Sequence, residues 1–342
     1  MERFVTYCDL PFLDEYVRVK PDRDKDPANY TEQDHLWLDV HEFLCKSTDV
    51  YVNASEEVLE AHRRNPAFNH PYLKHLMDRP AGPHLHLDPA PFENIETASF
   101  HRKNATPHAL FLVEDTDAAP EVLSRQFGVL FLPVERLFEH WKRIGRYQSL
   151  NVSRRGGSSE CLKQWRDLER FAAPMTALVV CDQFMLDDRE KAQRNLYRML
   201  LHLLPQGPND VAVDVTLLTR DDKLYGGLES VHRELKDFLD EQRPDLAFNL
   251  CVATPQGPNS YHDRHIFTNY GFMKSGQSFN YFNRRGEISV DTTLDFEPLM
   301  KELFVARDKL GTVAAAVPSV NEIGVTQVAV GSLENRLFGD DM

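Results

Sequence analysis

The chain has 342 residues, with 39 Lys and Arg against 53 Asp and Glu, a net charge of −14. A domain takes roughly 100–200 residues, so the length accommodates two, each able to bury a core. The acidic balance excludes a protein that coats nucleic acid by charge alone, but it leaves room for a nuclease, whose metal-binding carboxylates are themselves acidic.

In chain order, "RFVTYCDLPFL" is an apolar run ending in an acid, which reads as a first strand leading into a turn. "EQDHLWLDVHEFLCKS" has apolar residues at helical spacing, "DVYVN" alternates like a strand, and "ASEEVLEAHRRN" opens a helix with Ser55 as its N-cap. Residues 65–107 are rich in Pro and His and read as loops with short elements. "HALFLVED" is a strand of buried type, "TDAAPEVLSRQF" a helix, "GVLFLPV" a strand and "ERLFEHWKRIG" a closing helix. The polar, basic "RYQSLNVSRRGGSSE" breaks this alternation and reads as an interdomain linker. Beyond it "MTALVVCD", "DVAVDVTLLT", "LAFNLCVA" and "HDRHIFT" read as strands, and "DREKAQRNLYRMLLHLL" and "LESVHRELKDFLDEQ" as helices. From "TVAAAVPSVNEIGVTQVAV" onward no element is clear. The expected fold is α/β in two domains, 1–147 and 173–310, joined by a linker at 148–172 and followed by a tail at 311–342.

The cysteines at 8, 45, 161, 181 and 251 are scattered, with no zinc-type spacing, and read as reduced, mostly buried thiols. No apolar run approaches the ~20 residues of a membrane span and no signal peptide opens the chain, so a cytoplasmic protein is expected.

In the second domain "HDRHIFTNYGFMKSG", with Phe282 beyond it, resembles the phospholipase-D-like domain at the C-terminus of MIT-domain proteins. "ALVVCDQFM", with Asp182 at a strand end, fits the same domain, and the resemblance spans about 174–283. It is more distantly similar to the H-x-K motif of the phospholipase D superfamily. The resemblance implies His262 as a nucleophile on phosphorus, and Arg264, Ser278 and Asn280 as phosphate-binding residues. Strand alternation places His262 and Arg264 on one face. Arg264 stands where the superfamily has Lys, and Asn269 where it has Asp. Two such motifs must meet to cut a diester, and this chain carries one, so a homodimer is implied.

In the first domain "FVTYCDLPFL", "VNASEEVLEAH" and "PHALFLVEDTDAAPEVLSRQFGVLFLPV" resemble the acid-bearing strands and helix of PIN-type ribonuclease domains. The resemblance implies a PIN-like three-layer domain. Acids at the carboxyl ends of parallel strands converge at one sheet edge, where they repel unless a hard cation such as Mg²⁺ or Mn²⁺ joins them. Asp9, Glu60, Asp115 and Asp117 are the candidate ligands, with Glu57 and Glu114 as neighbours. Glu57 and Glu60 equally suit a solvated helix face, and Asp117 suits a helix cap. His84, His86 and Asp88 of "HLHLD" would share a strand face and suit Zn²⁺ or Mn²⁺, although the surrounding prolines favour a loop. Arg154, Arg155, Lys163 and Arg166 suit either a phosphate backbone or a soluble hinge.

These readings converge on a metal-dependent nuclease acting on RNA or single-stranded DNA, of the prokaryotic defence or toxin type. Asp9, Glu60 and Asp115 would hold the cation, which orients water for attack on phosphorus. The second domain would dimerise and bind a phosphate-bearing ligand or protein partner. The alternatives are a non-catalytic adaptor and a metal-independent phosphodiesterase that uses His262.

Overall fold

The computed structural model describes residues 4–22, 24–64, 85–87, 107–114, 120–155, 160–254, 264–300, 311 and 329–338. The chain divides into two compact units, Met1–Gly145 and Arg146–Met342. Both are mixtures of helices with a sheet that contains parallel strands.

The first unit is built on a five-stranded, wholly parallel sheet: β1 (Phe4–Cys8), β2 (Thr48–Val52), β3 (Leu85–Leu87), β4 (Ala109–Leu112) and β5 (Leu130–Leu132). Its strand order is β3-β2-β1-β4-β5. The turn expected after the first strand is instead the start of a helix. Asp9 caps α1 (Leu10–Arg18) by accepting from the amide of Phe12 at 2.8 Å, and Pro11 sits in the first turn, where no intrahelical N–H is needed. A capping box of Thr31 and Asp34 opens α2 (Glu32–Lys46). The two helices are joined by reciprocal bonds, Tyr16 Oη to Trp37 O and Trp37 Nε1 to Tyr16 O, both 3.0 Å. Ser55 caps α3 (Glu56–Arg64), as its position suggested, by accepting from the Val58 amide. After β4 come α4 (Pro120–Phe127), β5 and α5 (Val134–Ile144).

Register in this sheet is visible in its aromatic rings. His86, Tyr51, Tyr7, Phe111 and Phe131 are paired in sequence across all five strands. Successive rings lie 4.4, 5.4, 4.5 and 4.5 Å apart, a ladder that a one-residue slip would send to the other face. Phe127 of α4 meets Phe131 on this face, whereas Phe4 on the opposite face meets Phe43 of α2, which in turn meets Trp141 of α5. Helices on both faces explain the near-continuous apolar runs of β4 and β5.

The second unit is an eight-stranded mixed sheet of order β13-β9-β8-β7-β10-β11-β12-β6. Its strands are β6 (Gln148–Val152), β7 (Ala177–Cys181), β8 (Val213–Leu218), β9 (Phe248–Ala253), β10 (Arg264–Thr268), β11 (Gly271–Ser275), β12 (Thr292–Pro298) and β13 (Ala329–Gly331). β7, β8 and β9 are parallel, and all other pairings are antiparallel. The helices are α6 (Arg189–Ala192), a π-helical turn (Gln193–Tyr197), α7 (Arg198–Leu203) and α8 (Leu228–Gln242). The π turn frees the carbonyl of Lys191, which accepts from Asn195 Nδ2; the same buried side chain also bonds both the N–H and the C=O of Phe282.

Two expectations need correcting. The segment 148–172 is not a linker: β6 pairs with β12, and a 3₁₀ helix, Trp165–Phe171, buries Trp165, Leu168 and Phe171 in the core. Nor is 311–342 wholly a tail. β13 adds to β9, and Asn335 Nδ2 donates to Leu178 O, Asp214 O and Thr216 Oγ1 while Arg336 pairs with Asp214 at 2.8 Å. All five cysteines are free thiols. Among the described residues no helix is long and apolar enough to cross a membrane.

Candidate functional site

The chain of the first unit winds from β1 outward to β2 and β3 and then returns to β4 on the other side of β1. Strand order therefore reverses between β1 and β4, the crevice where open α/β sheets place their ligands, beyond the carboxyl ends of the strands. Asp9 stands there. Its amide donates to Leu112 O at 3.0 Å, its Oδ1 accepts from Phe12 N and its Oδ2 accepts from Glu114 N at 2.9 Å. One carboxylate thus caps α1 and ties the end of β1 to the second residue beyond β4. Burial raises its pKa, two amides counter the rise, and the Glu114 carboxylate adds to it. Burial also lifts the neighbouring Cys8 thiol well above its ordinary range, which leaves it an inert neutral group.

Asp9 and Glu114 are therefore neighbours, and Asp115 and Asp117 follow in the chain but lie outside the described residues. Glu60 is half-buried on α3, with Arg64 as an i,i+4 partner at 3.5 Å, and Glu57 is exposed on the same helix. Among the described residues no three His, Cys, Asp or Glu side chains gather as a metal cluster. Asp9 nevertheless fits an oxygen ligand. Each of its oxygens accepts one amide and keeps a further lone pair, and partial burial raises its pKa against those amides, which favours a bound cation. His86 is stacked on Tyr51 at 4.4 Å, a packing role that needs no metal. His84 and Asp88 lie outside the described residues.

In the second unit a polar cluster sits at the carboxyl end of β7, where the start of β10 and the segment after β11 arrive. Asp182 is fully buried: Oδ1 accepts from Phe184 N at 2.9 Å, and Oδ2 from Ser278 Oγ and Phe279 N, both at 2.7 Å. Burial raises its pKa against these three donors and the charge of Arg264. Asn280 Nδ2 donates to Phe184 O at 2.6 Å and to Ser278 Oγ at 3.1 Å. Arg264 lies over the Phe184 ring, its Cζ 5.9 Å from the centroid, and its buried Nε has no hydrogen-bond partner. Asn280 Oδ1 is likewise buried and unpartnered.

The structure thus brings Arg264, Ser278 and Asn280 together around Asp182, while His262 lies outside the described residues. Asn269 is not part of this cluster. It sits beyond the far end of β10, where it accepts from the amides of Thr176 and Ala177 and donates to Thr176 Oγ1. Arg154 is committed to Asp291 through Nε at 2.8 Å and Nη2 at 2.5 Å, and Arg166 to Glu169, so neither is a loose hinge cation. Lys163 and Arg155 remain exposed. Sequence reasoning missed the tie from Asp9 to Glu114 and the enclosure of Asp182; only Asp182's position at the end of an apolar run hinted at the latter. No protein-family model matches this chain, and no curated protein matches it.

Proposed function

We propose that the first unit is a PIN-like, metal-dependent nuclease acting on RNA or single-stranded DNA, with its site at the β1–β4 switch point. The observation that carries this reading is the carboxylate of Asp9 at that point, bonded to the amide that opens the acid run Glu114, Asp115 and Asp117. Asp9, Glu60, Asp115 and Asp117 would hold Mg²⁺ or Mn²⁺. When bound, the cation supplies an activated water and charge neutralisation at phosphorus. Asp9's part is pre-organisation: two amides fix its carboxylate, so no side-chain freedom is lost when it takes up a ligand. The net charge of −14 restrains indiscriminate nucleic-acid binding and leaves recruitment to local groups.

A second reading, a phosphate-binding module in the second unit, is favoured by the unpartnered guanidinium nitrogen of Arg264 beside Ser278 and Asn280. The two are compatible, with a phospholipase-D-like second unit recruiting or dimerising a nuclease first unit. A defence or toxin-type effector suits that pairing.

Cleavage of labelled single-stranded RNA and DNA with Mn²⁺ or Mg²⁺ tests the first reading. Cutting that disappears with chelator and in Asp9→Ala, and survives in His262→Ala, is the expected result. Cutting that survives chelation and is lost in His262→Ala would move the chemistry to the second unit. No cutting of either substrate would leave the adaptor.

A further inference from the structure

The Arg264 cluster presents two unmatched polar atoms of opposite kind, and that pairing restricts its ligand. Arg264 Nε is a donor and Asn280 Oδ1 an acceptor; both are buried and both are without a partner. Asn280 is only 9% exposed. Its amide cannot be turned round, because Nδ2 already serves Phe184 O at 2.6 Å and exchanging O for N would set two oxygens against each other. The remaining groups are used internally. Ser278 Oγ gives its proton to Asp182, and Asp182 receives three donors of its own. Arg264 and Asn280 meet the same residue, one over the Phe184 ring and the other on the Phe184 carbonyl.

A phosphodiester offers only acceptors to such a pair. It would satisfy Arg264 and leave Asn280 Oδ1 buried and unmatched, forgoing the gain of pairing it. A phosphate monoester differs, because its second ionisation lies near pH ~6 and its monoanion carries a P–OH. We propose that Arg264 and Asn280 form a two-point subsite for a phosphate monoester, the guanidinium taking an anionic oxygen and the amide oxygen accepting the P–OH proton. The subsite rests on the phosphate-binding reading of the second unit and narrows it: the ligand is a terminal phosphate rather than a backbone linkage.

Calorimetric titration of the full chain at pH 6 with chelator present tests this, using inorganic phosphate, adenosine 5′-monophosphate and dimethyl phosphate as probes. The monoesters and free phosphate should bind at least about tenfold more tightly than dimethyl phosphate, the equivalent of one good hydrogen bond. Arg264→Gln should weaken all three probes. Asn280→Ser should reduce the discrimination to less than about threefold. A 5′-phosphorylated RNA oligomer compared with its 5′-hydroxyl counterpart separates a nucleic-acid end from a small phosphate. Equal affinity for dimethyl phosphate and the monoesters would overturn the two-point subsite while phosphate binding stands. Failure of every probe to bind would overturn both readings. Discrimination that persists in a folded Asn280→Ser would overturn the role of Asn280.

Discussion

Asp9 serves the backbone and the candidate chemistry with one carboxylate, and substitution can separate the two. Asp9→Ala removes the cap of α1 and the acceptor for Glu114 N, a loss of about 0.5–2 kcal/mol for the cap. Asp9→Asn keeps an acceptor for Phe12 N and should lose less, while cleavage falls equally in both, which urea denaturation beside the cleavage assay will check. The pH dependence has a fixed sign. Burial holds Asp9 above the ordinary aspartate value of 3.8, so the folded chain keeps a proton that the unfolded chain has released. Its contribution to stability therefore falls as pH rises through the window above 3.8, and the cost of the half-buried charge persists at neutral pH. Asp9→Asn lacks that cost, so wild type should gain stability relative to the variant when the titration is repeated near about pH 4. Asp182 shows the same direction with more compensation, since three donors and a nearby guanidinium face it.

At the scale of elements, legibility followed the chemistry of each strand face. β4 and β5 of the first unit were readable because both faces are covered and their apolar runs are continuous, and β1 and β2 as short runs that end or alternate in strand fashion, whereas β3 lies in the stretch read as loops. β12 went unseen although Leu294, Phe296 and Pro298 alternate with Thr293, Asp295 and Glu297, because its solvated face carries acids and hydroxyls that resemble a loop. β6 was hidden in the same way, with Leu150 and Val152 buried ahead of a run of Arg, Gly and Ser. β13 is short and depends on a glycine. Gly331 has φ +102°, and a Cβ there would run into the carbonyl oxygen of Leu250 on β9. Gly331→Ala should therefore detach β13 at a cost of about 1–3 kcal/mol, seen as faster hydrogen exchange along β9 and a lower urea midpoint. The candidate site was legible as residue types at strand ends, but not as contacts. Asp182 and Ser278 are 96 positions apart, and nothing local announces that one hydroxyl closes over that carboxylate.

For the molecule as a whole, two units with separate sheets and separate polar clusters imply separable functions. Chelator should abolish cleavage yet leave the affinity for adenosine 5′-monophosphate within about twofold, measured on the same preparation. The two units divide at Gly145, which ends α5, and the segment beyond it that was read as a linker is already core. The two outer strands of the second sheet, β6 and β13, come from the first and last described segments of that unit. Synthesis therefore delivers β9 well before β13, the strand that covers its outer edge. Throughout that interval β9 presents unpaired amides and carbonyls, the kind of edge that invites pairing with a neighbouring nascent chain. A premature stop just upstream of Ala329 would make that transient exposure permanent, so loss of β13 should show itself first as insolubility, before any defect at either polar cluster.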